Sequence, residues 1–155
     1  KNLIMDLTAE IRQRIDKSIL CWLATSSSNN IPNVSPKEIF SAYNSNQIII
    51  ANIASPESIK NIRQNQNVSV SFIDILVQKG FQVKGTAKII ESTDSEFSNM
   101  EKILLKMTGG KFPFSSIINV IVEKAKPIIA PKYILYPETT EEQQIESAKK
   151  AYGIE

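Results

Sequence analysis

The residues best placed for chemistry follow a short apolar run, residues 48–51. Ser55 and Pro56 fit the N-cap and the first position of a helix there. The first N–H groups of a helix have no partner within it, and the helix dipole adds partial positive charge. Such a terminus can bind an anion, especially phosphate, and Ser58 and Lys60 would add a hydroxyl and a cation. The commoner alternative is that Ser55 only caps the helix and that Lys60 is solvated.

The amino-acid composition excludes several kinds of catalytic site. The chain has no histidine and one cysteine, Cys21, so it cannot build a Ser-His-Asp triad, a Cys-His dyad or a histidine- or thiolate-based zinc site. Cys21 is expected to be a buried small hydrophobe rather than a nucleophile. Redox or group-transfer chemistry near neutral pH would therefore need a bound cofactor. No metal site and no particular catalytic residue is predicted.

The charge pattern and the hydrophobic pattern limit the partners. The net charge is +2, with acidic and basic residues interspersed, which argues against a nucleic-acid partner. Residues 1–5 are too short for the apolar core of a secretory signal, and Asp6 interrupts them. The longest apolar stretch, residues 117–122, is broken by Asn119, so no membrane span is expected. A single cysteine is compatible with a reducing compartment, and a cytoplasmic location is predicted.

Seven β-strands and four helices are predicted from hydrophobic periodicity and from turn and cap residues. The predicted strands cover residues 18–26, 31–43, 47–52, 67–73, 81–90, 117–123 and 128–136. The predicted helices cover residues 8–17, 55–65, 92–108 and 139–153, and the last is the C-terminal helix. Neighbouring strands are mostly joined by short turns, which favours a small antiparallel barrel with helices outside, in one domain over residues 1–155.

Several local features are also predicted. Strand 18–26 is apolar almost throughout, which is typical of a strand that is buried on both faces or lies in a closed barrel, and Trp22 is expected in the core. Pro36 cannot donate to a ladder and should lie at a bulge or on an edge strand. A charged turn at residues 123–126 should separate the last two strands. Thr93 is expected to cap the third helix, and Thr139 with Glu142 to form a capping box for the fourth.

Three segments in this order resemble the pyridoxamine 5′-phosphate oxidase-like, FMN-binding split-barrel family. They are NVSPKEIF at 33–40, IIIANIASPESIKNIRQNQNVSVSF at 48–72 and QKGFQVKGTAKI at 78–89. The part of the chain after residue 112 is similar to one prokaryotic branch of that family. The resemblance implies a mainly β fold, a six-stranded antiparallel split β-barrel with flanking helices. It also implies a homodimer that binds FMN in two clefts at its interface.

The resemblance assigns roles to individual positions. Ser35, Pro36 and Lys37 would follow the edge of the isoalloxazine ring, and Ser58 with Lys60 would hold the phosphate. Ala51 and Asn52 would end the third strand beside the flavin. Lys79 and Gln82 would reach the flavin from the neighbouring subunit. The complete set of implied cofactor-binding residues is Asn33, Ser35, Pro36, Lys37, Ala51, Asn52, Ser58, Ile59, Lys60, Lys79 and Gln82.

The chain also departs from the oxidases of that family. They carry an arginine before the lysine of the second strand and end in an arginine-containing strand, whereas here Arg12, Arg14 and Arg63 are the only arginines. The predicted function is therefore an FMN-dependent oxidoreductase acting on an unassigned small molecule rather than a pyridoxamine phosphate oxidase. The alternative is a non-catalytic dimer that binds or stores a flavin, a deazaflavin or haem, and haem is disfavoured because no histidine can ligate it.

Overall fold

One antiparallel sheet of seven strands organises the computed structural model, which describes residues 3–155. The strands are β1 (Cys21–Ser26), β2 (Pro32–Lys37), β3 (Phe40–Tyr43), β4 (Gln47–Ala51), β5 (Asn67–Asp74), β6 (Lys79–Glu91) and β7 (Ser116–Ile129). They lie in the order β2-β1-β5-β6-β7-β4-β3, and the sheet curls into a half-barrel. The predicted mainly β fold with flanking helices is confirmed, with seven strands instead of six. Lys1 and Asn2, the start of the segment considered as a secretory signal, lie outside the described residues.

The two edge strands follow from local sequence. β2 is an edge strand, so Pro36 removes no hydrogen bond that a further strand would need, as predicted. The strand predicted over residues 31–43 is divided into β2 and β3, and β3 forms a hairpin with β4, with Tyr43 opposite Gln47 across a tight turn. In β4, Ile48, Ile49 and Ile50 are all fully buried, because the sheet has packed side chains on both faces there.

The prediction of two strands at the C-terminal end of the sheet is wrong. β7 is one continuous strand, and residues 123–126 lie inside it rather than in a turn. A bulge between Lys84 and Gly85 of β6 shifts the register there and keeps the two long strands paired. Lys124 and Lys126 face solvent while Ala125 between them is half-buried, so the charged residues keep the alternation of a strand. Residues 131–135, predicted as strand, form a short helix.

Within the described residues 3–155, five helices flank the sheet: α1 (Ala9–Lys17), α2 (Pro56–Gln64), α3 (Phe97–Thr108), α4 (Pro131–Leu135) and α5 (Glu141–Tyr152). Thr8 caps α1 as predicted, with its hydroxyl accepting a bond from the N–H of Ile11. The predicted cap at Thr93 is wrong, because residues before Phe97 form turns instead of helix. The capping box of α5 is present one residue later than predicted, formed by Thr140 and Gln143.

Two hydrophobic clusters lie on opposite faces of the sheet. The larger one contains Val70, Phe72 and Val83 of β5 and β6, and α1 and α2 cover it. The smaller one lies between the sheet and α3, where Met100 and Leu104 are fully buried. The core position predicted for Trp22 is wrong: its side chain is 48% exposed on the uncovered face of β1. Among residues 3–155, no helix combines the length and the hydrophobicity that a membrane span requires.

Candidate functional site

The candidate site is built around the junction between β4 and α2. β4 ends at the buried Ala51, and the chain then enters α2 with Ser55 at the N-cap and Pro56 at the first helical position. The hydroxyl of Ser55 does not bond to the helix. It donates to the carbonyl oxygen of Ile53 at 3.1 Å and accepts a hydrogen bond from the ammonium group of Lys37. The unbonded N–H groups of the first turn are therefore left for another acceptor.

β2 contributes side chains to the same place because its residues alternate between two faces. Asn33, Ser35 and Lys37 face α2, whereas Pro36 faces the opposite side. The hydroxyl oxygens of Ser35 and Ser58 lie 3.3 Å apart, and Ser58 is buried. These contacts tie the edge strand to the first turn of the helix.

Lys37 is a buried cation beside a buried thiol. Its side chain is only 7% exposed, and Cys21 lies directly opposite in β1. Burial lowers the pKa of Lys37, and burial raises the pKa of Cys21 to about 12. Cys21 is therefore a protonated, inert core residue, as expected.

Lys37 also lines a cavity, which we call the Lys37 cavity. Its volume is about 220 Å³, and its walls come from Pro36, Lys37, Glu38, Ile39, Ala51, Ile53 and Phe112. Most of these side chains are apolar, so the cavity suits a flat, largely apolar group with a polar edge. Cofactor pockets usually span about 300–1,000 Å³, so this cavity needs a further wall to enclose a flavin.

Lys60 lies on the other side of α2. Residues two apart on a helix point about 200° from one another, so Ser58 and Lys60 face opposite sides of α2 instead of one phosphate. Lys60 is exposed and lines a cavity of about 410 Å³, the Lys60 cavity, with Asn52, Pro56, Ile59, Arg63 and Gln64.

Asn52 joins the Lys60 cavity to the sheet. Its side-chain amide donates to the hydroxyl of Ser116 at 2.8 Å, and its own N–H donates to the Ser116 carbonyl. Its carboxamide oxygen has no hydrogen-bond partner among residues 3–155 although it is buried. Ala51 and Ile53 line the Lys37 cavity and Asn52 lines the Lys60 cavity, so the two cavities flank the same three-residue segment.

Within a single chain, Lys79 and Gln82 do not lie at the β4–α2 junction. The ammonium group of Lys79 is 3.1 Å from a carboxylate oxygen of Glu141 in α5 and 4.5 Å from the ring centroid of Tyr133. Gln82 lies on the uncovered face of the sheet, opposite Ser71 of β5. The structure therefore brings together Ser35, Lys37 and Ser58, places Ala51, Asn52, Ile59 and Lys60 beside them, and leaves Lys79 and Gln82 elsewhere.

The uncovered face of strands β2, β1, β5, β6 and β7 is called the outer face here. It carries apolar side chains on β2 and β1 and polar side chains at Ser71 and Gln82 of β5 and β6. One row across the strands contains Pro36, Trp22, Ser71 and Gln82 in register. Val34 is 56% exposed on the same face. An apolar groove of about 340 Å³ beside Trp22 has four isoleucines among its eight lining residues. Large exposed apolar patches are common at association sites of proteins.

Sequence reasoning missed two residues of the site. Ser55 was taken only as a helix cap, yet its hydroxyl is the hydrogen-bond partner of Lys37. Phe112, from the loop after α3, closes the Lys37 cavity. No local pattern links these positions, because both contacts depend on how the chain folds. Phe112 is exposed in a Phe-Pro-Phe sequence, whereas Phe114 packs against the cluster under α3.

The curled sheet, the strand-to-helix junction and the two flanking cavities are the features of a split-barrel protein. The sequence model described as pyridoxamine 5′-phosphate oxidase matches residues 7–126. The chain therefore belongs to the pyridoxamine 5′-phosphate oxidase family. The resemblance noted from its three sequence segments is confirmed. A comparison with curated protein sequences gave no significant match.

Solved structures share this fold at low sequence identity. A putative pyridoxamine 5′-phosphate oxidase from Lactobacillus delbrueckii is 21% identical with a TM-score of 0.65, covering 78% of this chain and 93% of that chain. An FMN-binding protein from Syntrophomonas wolfei is 17% identical with a TM-score of 0.63, covering 77% and 84%. An F420 reductase is 16% identical with a TM-score of 0.59, covering 77% and 98%. At these identities the likeness shows the fold alone.

Proposed function

We propose that the protein is a homodimeric, FMN-binding oxidoreductase that acts on a small molecule. The observation that carries the proposal is the β4–α2 junction, where a cationic cavity and a largely apolar cavity flank residues 51–53. FMN has a matching division into a charged phosphate and a flat ring. The fold of an FMN-binding protein from another organism supports the same cofactor. When bound, FMN would supply the electron-transfer chemistry that the side chains lack.

The phosphate is assigned to the Lys60 cavity, which extends along α2 from Pro56 to Gln64, at the end of the cavity near Pro56. Arg63 already pairs with Glu91 at 3.1 Å, so Lys60 is the cation best able to turn toward a ligand. The unbonded N–H groups of the first helical turn add partial positive charge. The free carboxamide oxygen of Asn52 would accept a hydrogen bond from a ribityl hydroxyl. Ser58 is given a positioning role, because its hydroxyl is buried against Ser35.

The isoalloxazine ring is assigned to the Lys37 cavity. Ile53 and Phe112 offer apolar surface to its face, and Lys37 offers a donor to its polar edge. Lys37 is held in position by Ser55, so little side-chain entropy is lost when it contacts a ligand.

A second copy of the chain would complete the site. The Lys37 cavity is too small to enclose a flavin, and Pro36 belongs both to its wall and to the outer face. If two outer faces pack together, Gln82 of one chain can lie near Pro36 of the other. This arrangement gives the exposed Trp22 and Val34 a buried environment and explains why β1 has apolar residues on both faces.

The experiment that tests this proposal disrupts the outer face. Trp22→Arg places a charge in the proposed interface, and we expect it to convert a dimer to a monomer in light scattering and to lose FMN. Lys102→Arg, on the exposed side of α3, is the control and should retain both. A folded monomeric Trp22→Arg variant that binds FMN as tightly as the unaltered protein would refute a shared cleft.

A second candidate function is a binding or storage dimer for a deazaflavin. The similar fold of an F420 reductase favours this candidate, since F420 is the cofactor in its name. Protein that is purified with FMN and is reduced by a nicotinamide donor would support the oxidoreductase. Protein that binds a flavin but gives no turnover with any donor would support the storage role.

Pyridoxamine 5′-phosphate oxidase activity is not proposed for this chain. The second strand has no arginine, and residues 64–155 contain none either. The substrate is therefore left as a small redox-active molecule. The single cysteine is compatible with a reducing cytoplasm, and this location and the single-domain organisation over residues 1–155 stay predictions.

A further inference from the structure

A cavity of about 530 Å³ lies between α1 and α5. It adjoins the groove beside Trp22, with which it shares Ile19 and Ile75. Its walls come from α1, from the loop between β5 and β6, and from the C-terminal helix. It shares no residue with the Lys37 and Lys60 cavities. Its volume lies within the usual range for small-molecule sites, about 300–1,000 Å³.

Arg14 of α1 lines this cavity and has an unused donor. Its side chain is only 8% exposed, and one guanidinium nitrogen, Nη2, is 3.1 Å from a carboxylate oxygen of Glu141. Its Nε is buried and has no hydrogen-bond partner among residues 3–155. A buried charged donor without an acceptor is costly, so an acceptor supplied by a ligand would be strongly favoured.

The lining of the cavity has two cations, Arg14 and Lys17, and two carboxylates, Asp74 and Glu141, and Lys79 lies outside the lining as a third cation that contacts Glu141. Arg14 and Lys79 both contact the same oxygen of Glu141, so two cations share one carboxylate. The hydrogen bond from Lys79 is the main reason why the pKa of Glu141 is lowered, which keeps Glu141 ionised. Asp74, the other acid on the wall, already accepts bonds from two backbone N–H groups at 3.0 and 3.3 Å.

The remaining walls are apolar. Ile19, Ile75 and Ile145 are among the residues that face the cavity, together with the side chains of the loop before β6. A ligand that fits both Arg14 and the apolar walls of the cavity needs an anionic head for Arg14 and a hydrocarbon body for the isoleucines. We propose that this cavity binds a small monocarboxylate with an apolar body, whose carboxylate accepts hydrogen bonds from the guanidinium group of Arg14.

The test is calorimetric titration of the full-length protein with octanoate, with octylamine as the cationic analogue of the same length. We expect octanoate to bind with one site per chain and octylamine not to bind. Arg14→Leu should weaken the binding of octanoate at least about tenfold, because a charge-assisted hydrogen bond is lost. Arg12→Leu, on the same helix but outside the cavity, is the matched control and should bind octanoate normally.

Two further variants keep the test decisive if Arg14→Leu does not fold. Glu141→Gln removes the carboxylate that competes for Arg14 and Lys79, so octanoate should bind more tightly. Ile145→Trp fills the cavity and should abolish binding while the protein stays folded. Equal binding of octanoate and octylamine, weaker octanoate binding by Glu141→Gln, or unchanged binding by Ile145→Trp would overturn the proposal.

This site and the flavin site can fail independently. FMN content is measured on the same samples by absorbance after denaturation. Octanoate binding in protein that does not bind FMN refutes only the flavin assignment. FMN binding in protein that does not bind octanoate refutes only the carboxylate site.

Discussion

Replacing Lys60 with alanine is expected to weaken FMN binding about tenfold. A charge-assisted hydrogen bond to a phosphate contributes roughly 1.5–3 kcal/mol. Lys60 is exposed at the rim of its cavity, where solvent and salt screen its charge, so the lower end of that range applies. A loss of about 1.4 kcal/mol corresponds to a tenfold rise in Kd. The loss should shrink as the salt concentration rises.

The assay is a titration of FMN by the apoprotein, followed by quenching of flavin fluorescence. Riboflavin, which lacks the phosphate, is titrated in parallel, and Lys60→Ala should leave its affinity unchanged. Lys102→Ala, which removes an exposed lysine of α3, is the matched control and should bind FMN normally. The phosphate assignment is refuted if Lys60→Ala weakens the binding of FMN and of riboflavin equally, or if it changes neither affinity.

Three further predictions concern stability and can be checked by urea unfolding. Burial raises the pKa of Cys21 from 9.0 to about 12, so this thiol contributes stability that is present below pH 9 and is lost as the pH rises toward 12. The unfolding free energy of Cys21→Ala should therefore fall less steeply above pH 9 than that of the unaltered protein, and parallel pH profiles would contradict this. Gly85→Ala should cost about 2–3 kcal/mol, because the new Cβ overlaps the carbonyl oxygen of Ile121, and a neutral effect would show that the bulge adapts. Thr140→Ala removes the cap of α5 and should cost about 1 kcal/mol, or about 2–4 °C in Tm, whereas Thr139→Ala should cost less.

Local sequence was sufficient to predict a strand or the start of a helix where the residue types permit few other backbone conformations. The β4–α2 junction follows from an isoleucine run, a serine and a proline, and the structure places it as predicted. β5 alternates between buried Val68 and Val70 and less buried serines, and this period of two identified the strand. These features depend on backbone preferences that act within a few residues.

Features that depend on other parts of the chain were not predictable in this way. The apolar sequence of β1 led to a predicted core position for Trp22, but one face of β1 is uncovered in a single chain, so Trp22 is exposed. The charged stretch in β7 was taken as a turn, because nothing local shows that the equally long β6 pairs with it. The contact between Lys79 and Glu141, 62 residues later, had no local signal either. The flavin contact of Lys79 across a subunit boundary stays a prediction.

The position of Ser58 is the clearest case of this limit at the site. The sequence brings Ser58 and Lys60 close along the chain, and the helix then turns them to opposite sides. Only the fold shows that Ser58 meets Ser35 of β2 while Lys60 faces a separate cavity. Pairs of residues two apart are therefore weak evidence for a shared ligand when they lie in a helix.

The central claim is that FMN binds at the β4–α2 junction in a cleft that two chains share. The most direct test of this claim is native mass spectrometry of the purified protein, in which the protein is saturated with FMN and the complex is then partly dissociated. We predict a dimer that carries two FMN molecules, and free chains that have lost them. A monomer that retains FMN, or a dimer that takes up none, would contradict the account.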